Sequence, residues 1–369
     1  MIGFRFSDYK PDPNQSTFER LFKIFQELML YTSGDVPEAL SWLTQLDKEY
    51  KLTTPEYGMG DFIRDLEEQG YIRRDGPGGN GDGQDGGGMG PTSKLEISLR
   101  QKSLDDIFGE LKKAKAGRHN TTVIGRGDEY TADVKPYEFG DSLDNLAVTN
   151  SLRNAYINHG IDDFKMTQDD LEIHETYYQS QMSSVLMIDI SHSMILYGED
   201  RITPAKKVAL ALAEFINTRF PKDTLDILVF GDDAWTIQLK DIPYLQVGPY
   251  HTNTVAGLEL AMDILKKRRN PNKQIFMITD GKPTCLKIGK NYYKNSFGLD
   301  RKIVNRCLNL ALRCKKADIP ITTFMIARDP YLVRFIEAFT EANKGKAFYS
   351  SLAGLGSFVL DNYKKRKRK

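Results

Sequence analysis

The stretch LMIDISHSM at 186–194 begins as an apolar strand. It ends by presenting one carboxylate and two hydroxyls, Asp189, Ser191 and Ser193, at alternate positions. Two other oxygen-rich places accompany it, His251-Thr252-Asn253-Thr254 before a helical pattern and Asp280 at the end of QIFMITD. On a tight loop the alternation turns Asp189, Ser191 and Ser193 to one side and Ile190 and His192 away. An all-oxygen set suits a hard cation such as Mg²⁺, which takes ligands at about 2.0–2.1 Å. The hydroxyls are neutral, so only Asp189 and Asp280 offset the charge, which leaves the cation open to a further oxygen, ideally a carboxylate of another protein. The plainer reading is that Asp and Ser cap a turn where a strand stops. Thr254 reads as a helix N-cap rather than a ligand. His192 and His251 lack metal-pair spacing and read as rim residues.

Positioning these groups requires a fold that brings several strand ends to one edge. From Met182 onward, apolar strands (SSVLMIDI, TLDILVFG, QIFMITD, IPITTFMIA, KAFYSS) alternate with helical patterns (AKKVALALAEFINTRF, VAGLELAMDILKKRR, KIVNRCLNLALRCKKA, YLVRFIEAFTEA). Such alternation implies an α/β fold, a doubly wound, mostly parallel sheet with helices on both faces, and AWTIQL as an antiparallel edge strand. A terminal helix is expected after KAFYSS. Ligands of open parallel sheets sit beyond the carboxyl ends of the strands, where Asp189 and Asp280 fall.

Upstream, residues 1–75 read as a small helical module, with Asp35 capping a second helix that carries Pro37 in its first turn. Residues 76–91, GPGGNGDGQDGGGMGP, read as a flexible linker. Its Gly76, Gly78 and Gly81 spell a dinucleotide fingerprint, but without the flanking strand and helix that motif needs. Residues 92–181 read as a mixed segment packed against the α/β domain at 182–363. KLEISL (94–99) and LEIHETYY (171–178) alternate like strands expected to pair with each other. A helix capped by Asp141 or Ser142 and stopped by Gly160 lies between them. Arg126-Gly127-Asp128 reads as a chance tripeptide in a loop.

At the oxygen cluster the residues resemble a known family. The segment from Met182 to about Tyr363 is similar to a von Willebrand factor A domain, the fold shared with integrin I domains. Its metal-ion-dependent adhesion site has the pattern Asp-x-Ser-x-Ser, then Thr, then Asp. The resemblance implies that Asp189, Ser191, Ser193, Thr252 and Asp280 hold Mg²⁺ or another divalent cation such as Mn²⁺. It implies serines bound directly, aspartates often acting through water, and Thr joining either way. His192 departs from the commoner Gly. The wider arrangement resembles bacterial cytosolic partners of MoxR-type AAA+ ATPases and, more distantly, the C-terminal half of the magnesium chelatase D subunit. The chain carries no Walker A sequence, so such an ATPase would be a separate polypeptide.

Composition narrows the remaining classes. Over 369 residues, 40% are hydrophobic and 27% charged, as in ordinary soluble domains. The first residues, MIGFRFSDYKPDP, lack the apolar core of a signal peptide, and Glu214 interrupts the longest near-apolar run, VALALAEFI. A cytoplasmic protein with no membrane segment is expected. Cys285, Cys307 and Cys314 then make a disulfide framework improbable, and Cys307 and Cys314, seven residues apart in a helical pattern, read as small buried hydrophobes. The formal charge of +1 conceals a basic tail: KKRKRK at 364–369 carries +6 and leaves −5 for residues 1–363. An acidic body argues against nucleic acid as the main partner. The expected function is a non-enzymatic, metal-dependent protein-binding adaptor coupling a MoxR-type AAA+ ATPase to a client. The alternatives are a metal-dependent hydrolase, for which no general base or catalytic motif is evident, and a nucleic-acid-binding accessory protein acting through its tail.

Overall fold

The chain opens with three helices, α1 (Thr17–Tyr31), α2 (Val36–Tyr50) and α3 (Met59–Glu68). Local chemistry sets each start. Ser16 and Glu19 form a reciprocal capping box on α1, Asp35 accepts from the Glu38 amide on α2 with Pro37 in the first turn, and Asp61 accepts from the Gly58 amide on α3. This computed structural model describes residues 16–74, 88–108, 124–138, 143–160, 164–177, 181–198, 200–280, 282–295, 297–326 and 330–349. The expected terminal helix, the basic tail, Asp141, Ser142 and most of the glycine-rich stretch lie outside them.

Strand β1 (Ile72–Arg74) pairs antiparallel with β2 (Met89–Pro91), so the last residues assigned to the linker are strand. Thr92 fixes the exit by donating its hydroxyl to the Gly70 and Tyr71 carbonyls. KLEISL is not a strand but the start of helix α4 (Ser93–Phe108). Leu95, Leu99, Ser103 and Ile107 are buried at four-residue intervals while Ile97 stays exposed, so the local alternation belonged to a longer helical period. The expected pairing of KLEISL with LEIHETYY is therefore absent. Strand β4 (Glu172–Tyr177) pairs instead with β3 (Ile124–Pro136), whose backbone includes Arg126-Gly127-Asp128 as strand rather than loop. Helix α5 (Val148–His159) lies between them and stops at Gly160, where φ is +79°.

The large sheet begins with β5 (Met182–Asp189) and continues through α6 (Ile202–Arg219), β6 (Thr224–Phe230), β7 (Ala234–Ile237), α7 (Thr254–Lys267) and β8 (Asn272–Thr279). A hairpin of β9 (Cys285–Ile288) and β10 (Asn291–Lys294) follows, then α8 (Arg301–Lys316), β11 (Ile321–Met325), α9 (Pro330–Asn343) and β12 (Lys346–Phe348). Strand order is β12-β11-β8-β5-β6-β7, parallel except for the antiparallel edge strand β7, as the alternating pattern predicted. The chain leaves β5 in one direction to β6 and returns on its other side to β8. The reversal point is thus the crevice between β5 and β8.

Alternate residues of each strand feed two cores. Val185 and Met187 join Leu228, Phe230, Ile275 and Met277 under α7, α8 and α9. Leu186 and Ile188 face the other way with Ile227, Val229, Phe276 and Ile278, against α6. Helix α6 is buried nearly all round, because α4, α1 and the segment Leu239–Tyr244 cover the side that the sheet does not. The N-terminal helices and α4, which the sequence reading placed with the unit of β3, α5 and β4, therefore share one core with the sheet. The buried Ala147, Ala155 and Ile173 of that unit belong to neither core. Cys285, Cys307 and Cys314 are free and buried.

Lys206 of α6 is fully buried at the seam with the first helices. Its ammonium donates to the Leu30 carbonyl (3.1 Å) and the Ser33 hydroxyl (2.9 Å), and Ser33 in turn donates to the Leu245 carbonyl. Burial pushes its pKa down to about 8, from 10.5. The unfolded chain thus binds this proton more tightly, and this residue makes the fold gain stability as pH rises from about 8 to 10.5. Melting curves should show the wild type gaining on Lys206→Met across that window. A difference that does not vary with pH would mean the ammonium is hydrated and the seam open.

Candidate metal centre

Asp189 is the last residue of β5, at the centre of the sheet, and is wholly buried. One carboxylate oxygen accepts from the Ser191 amide (2.9 Å), which curls the chain into a short 3-10 turn over His192–Gly198. The other accepts from the Thr279 hydroxyl (2.6 Å), on the neighbouring strand β8. The turn presents Ser191 and Ser193 together, their hydroxyls 3.0 Å apart. Ile190 points down into the core and His192 out to solvent, the alternation expected from Asp-x-Ser-x-Ser.

Thr252 reaches the same point from the loop before α7, donating its hydroxyl to Ser191 (2.9 Å). That loop is pinned from several sides. The Tyr250 carbonyl accepts from the His192 amide, and the His251 amide donates to Asp232. The Tyr250 ring lies flat on Gly248, where a Cβ would stand 2.1 Å from the ring, so only glycine fits beneath it. The cap of α7 is Asn253, which accepts from the Ala256 amide, and not Thr254, which is the first helical residue and buried. An Asn side chain satisfies the same orphan amide as Thr, so the two readings were indistinguishable in sequence.

Asp280, one residue beyond β8, completes the cluster. Its carboxylate accepts from Arg201 (3.3 Å), from Ser193 and from the Lys282 amide. Its Oδ1 is nevertheless buried with no hydrogen-bond partner among the described residues. All five residues picked out in the sequence thus meet at one point of the crevice. Sequence reasoning did not find Arg201, Thr279 or Thr284, which hold them in place. Thr284 accepts from the Thr252 amide (3.0 Å) through its hydroxyl. A Thr immediately before Asp280 at a strand end was the one available signal.

Electrostatically the cluster is unfinished. Burial pushes the Asp189 carboxyl up to about 7, and the nearby Asp280 charge pushes in the same direction. Asp280 is likewise raised by burial, with Ser193 and Arg201 opposing. Two buried carboxyls, three hydroxyls touching in a chain and an orphaned carboxylate oxygen form a donor set that suits a hard divalent cation. His251 stands at the rim near Asp232 (3.4 Å), and no group of three His, Cys, Asp or Glu able to hold a metal occurs among the described residues, so the cluster's donors are two carboxyls and three hydroxyls.

Comparison with known proteins agrees with this architecture. Residues 183–364 match the family described as Rv0959-like protein, vWA domain, and residues 129–176 match its third domain. The uncharacterized protein Rv0959 of Mycobacterium tuberculosis is 28% identical over 320 residues, covering 84% of this chain and 46% of that protein. The uncharacterized protein Mb0984 of Mycobacterium bovis has the same values. The chain thus spans about half the length of the curated relatives it matches. Among solved structures, the vWF domain of the pilus tip protein Mfa5 of Porphyromonas gingivalis is 14% identical, with a TM-score of 0.41, over 51% of this chain and 95% of that one. The SpRpn10 VWA domain is 19% identical, with a TM-score of 0.35, over 49% and 95%. Residues 183–364, which build the doubly wound sheet and carry the strand-end cluster, thus match a von Willebrand factor A domain of the Rv0959-like kind.

Proposed function

We propose that this protein is a metal-dependent protein-binding adaptor rather than an enzyme. Mg²⁺, or another divalent cation such as Mn²⁺, would be held by Asp189, Ser191, Ser193, Thr252 and Asp280. The observation that carries this reading is their convergence at the switch point of the sheet, with Asp280 Oδ1 left unpartnered. When bound, the cation supplies a Lewis-acidic position for a carboxylate from another protein. The chain's own residues do the rest. Thr279 and the Ser191 amide fix Asp189, Arg201 holds one oxygen of Asp280, and His192 and Ile195 form an exposed rim for contact.

The wider role we propose is in the cytoplasm, linking a separate MoxR-type AAA+ ATPase to a client. Support for that part is the resemblance in domain arrangement, a helical region ahead of an A domain. Among the described residues, no helix is long and apolar enough to cross a membrane.

Affinity capture tests the adaptor reading. Wild-type protein in Mg²⁺ should retain a partner that wild type in EDTA and Ser193→Ala in Mg²⁺ both release, because the substitution deletes one neutral ligand from a surface turn. Equal capture in all three would remove the metal from the interface.

Thermal melting tests the metal site itself. Binding to the native state alone stabilises by roughly 2.7 kcal/mol at about 100 times the dissociation constant, or about 5–10 °C in Tm for a domain of this size. Asp280→Asn should abolish most of that rise and leave the metal-free protein equally or more stable, since it relieves the buried repulsion. If Asp280 served only as a structural cap, the metal-free variant would melt earlier and keep its Mg²⁺ response.

The carboxyl pair also sets a pH dependence. A folded pKa raised to about 7 means that the Asp189 contribution is fully present below the unfolded carboxylate range and is lost as pH rises through about 7. Deprotonation is what the cation requires, so the Mg²⁺-induced rise in Tm should grow between pH 5 and about 8. A response that does not change over that range would contradict the assignment.

A further inference from the structure

The hairpin β9–β10 is an insertion between β8 and α8, on the same edge of the sheet as the oxygen cluster. It is fastened to the cluster directly. The Thr252 carbonyl accepts from both the Thr284 and Cys285 amides, at 2.9 and 3.1 Å. Lys294 pairs with Asp232 (2.7 Å), the same carboxylate that receives the His251 amide. What touches the hairpin is thus felt at Thr252.

The stretch around it is basic. Residues 1–363 sum to −5, yet residues 282–302 carry Lys282, Lys287, Lys290, Lys294, Arg301 and Lys302 against Asp300 alone. Every residue of β10 is exposed. The hairpin is two-stranded, so one edge of β10 makes no ladder hydrogen bonds to any described strand. Tyr292 stands between the Lys287 and Lys294 ammonium groups, 5.1 and 5.7 Å from its ring centroid, and Lys302 lies 5.0 Å from that of Tyr293. These contacts hold the lysines extended over the strand. Lys287 and Lys294 are balanced by Asp233 and Asp232, but Lys290 at the turn and Lys302 at the start of α8 make no ion pair among the described residues.

We infer that the open edge of β10 is a docking strand for an acidic, extended segment of a partner protein. The partner's backbone would add to the edge, as in β-augmentation, and its carboxylates would meet Lys290 and Lys302. The inference rests on reading this edge of the sheet as the partner-binding face, and it gives that face a second, metal-independent contact. The competing account is that the lysines merely guard an exposed edge against self-association.

The test uses the whole 369-residue chain and two fluorescein-labelled probes of about twelve residues, alternating Glu-Val and alternating Lys-Val, read by anisotropy in Mg²⁺ and in EDTA. The Glu-Val probe should bind in both buffers, more tightly in Mg²⁺, and the Lys-Val probe in neither. Reversing charge with Lys290→Glu and Lys302→Glu together should weaken Glu-Val binding about tenfold or more in both buffers. Both positions are exposed, and unchanged melting curves would confirm that the fold survives; Lys290→Ala, a milder change, should weaken binding in the same direction. Ser193→Ala should remove only the Mg²⁺ increment. Glu-Val binding that is absent in EDTA, or unaffected by the double reversal, would overturn the docking strand and leave the lysines as edge guards. Loss of the Mg²⁺ increment in wild type, with the EDTA binding intact, would instead sink the metal reading and leave the docking strand standing.

Discussion

Two carboxyl groups, Asp189 and Asp280, are buried near one another where the sheet reverses direction, and much of the local structure answers to that constraint. A buried carboxylate is costly unless it is paired or hydrogen-bonded, and a second one beside it raises the cost. The fold offsets part of this. Thr279 and the Ser191 amide serve Asp189, while Arg201, Ser193 and the Lys282 amide serve Asp280. One oxygen of Asp280 is still left without a partner. A site held together at such expense, and stopped one positive charge short, is the physical signature from which the functional proposal grows.

Rigidity around the pair comes from the cores beneath it. Strands β5 and β8 are buried on both faces, so Asp189 and Asp280 leave the sheet at fixed positions. Arg201 begins α6, and the far side of α6 is covered by the N-terminal helices through Lys206, Leu30 and Ser33. Helix α1 and the turn after it are thus packed into the same core that positions the Asp189–Ser193 turn.

How much of this could be read from sequence depended on the length scale of each signal. The alternating strands and helices from Met182 onward match the elements of the doubly wound sheet and its antiparallel edge strand; the strand-end position drew attention to Asp189 and Asp280, and the resemblance to the A-domain motif completed the set with Ser191, Ser193 and Thr252. KLEISL failed because three alternating apolar residues fit a strand and a helix equally until Ser103 and Ile107 are counted. The pairing of β1 with β2 was hidden because three-residue strands at the ends of a glycine-rich stretch carry no periodicity. Arg201 and Thr284 were invisible for another reason: their roles come from contacts 79 and 32 residues away in sequence, to Asp280 and Thr252. One clue went unused, since VALALAEFI is too apolar for a helix with a solvent face and already implied a covering layer.

The most direct measurement is calorimetric titration of the metal-free 369-residue chain with Mn²⁺. The account predicts saturation at one ion per chain, lost in Asp189→Asn although that variant remains folded. Heats indistinguishable from buffer, or an unchanged isotherm in the variant, would contradict it.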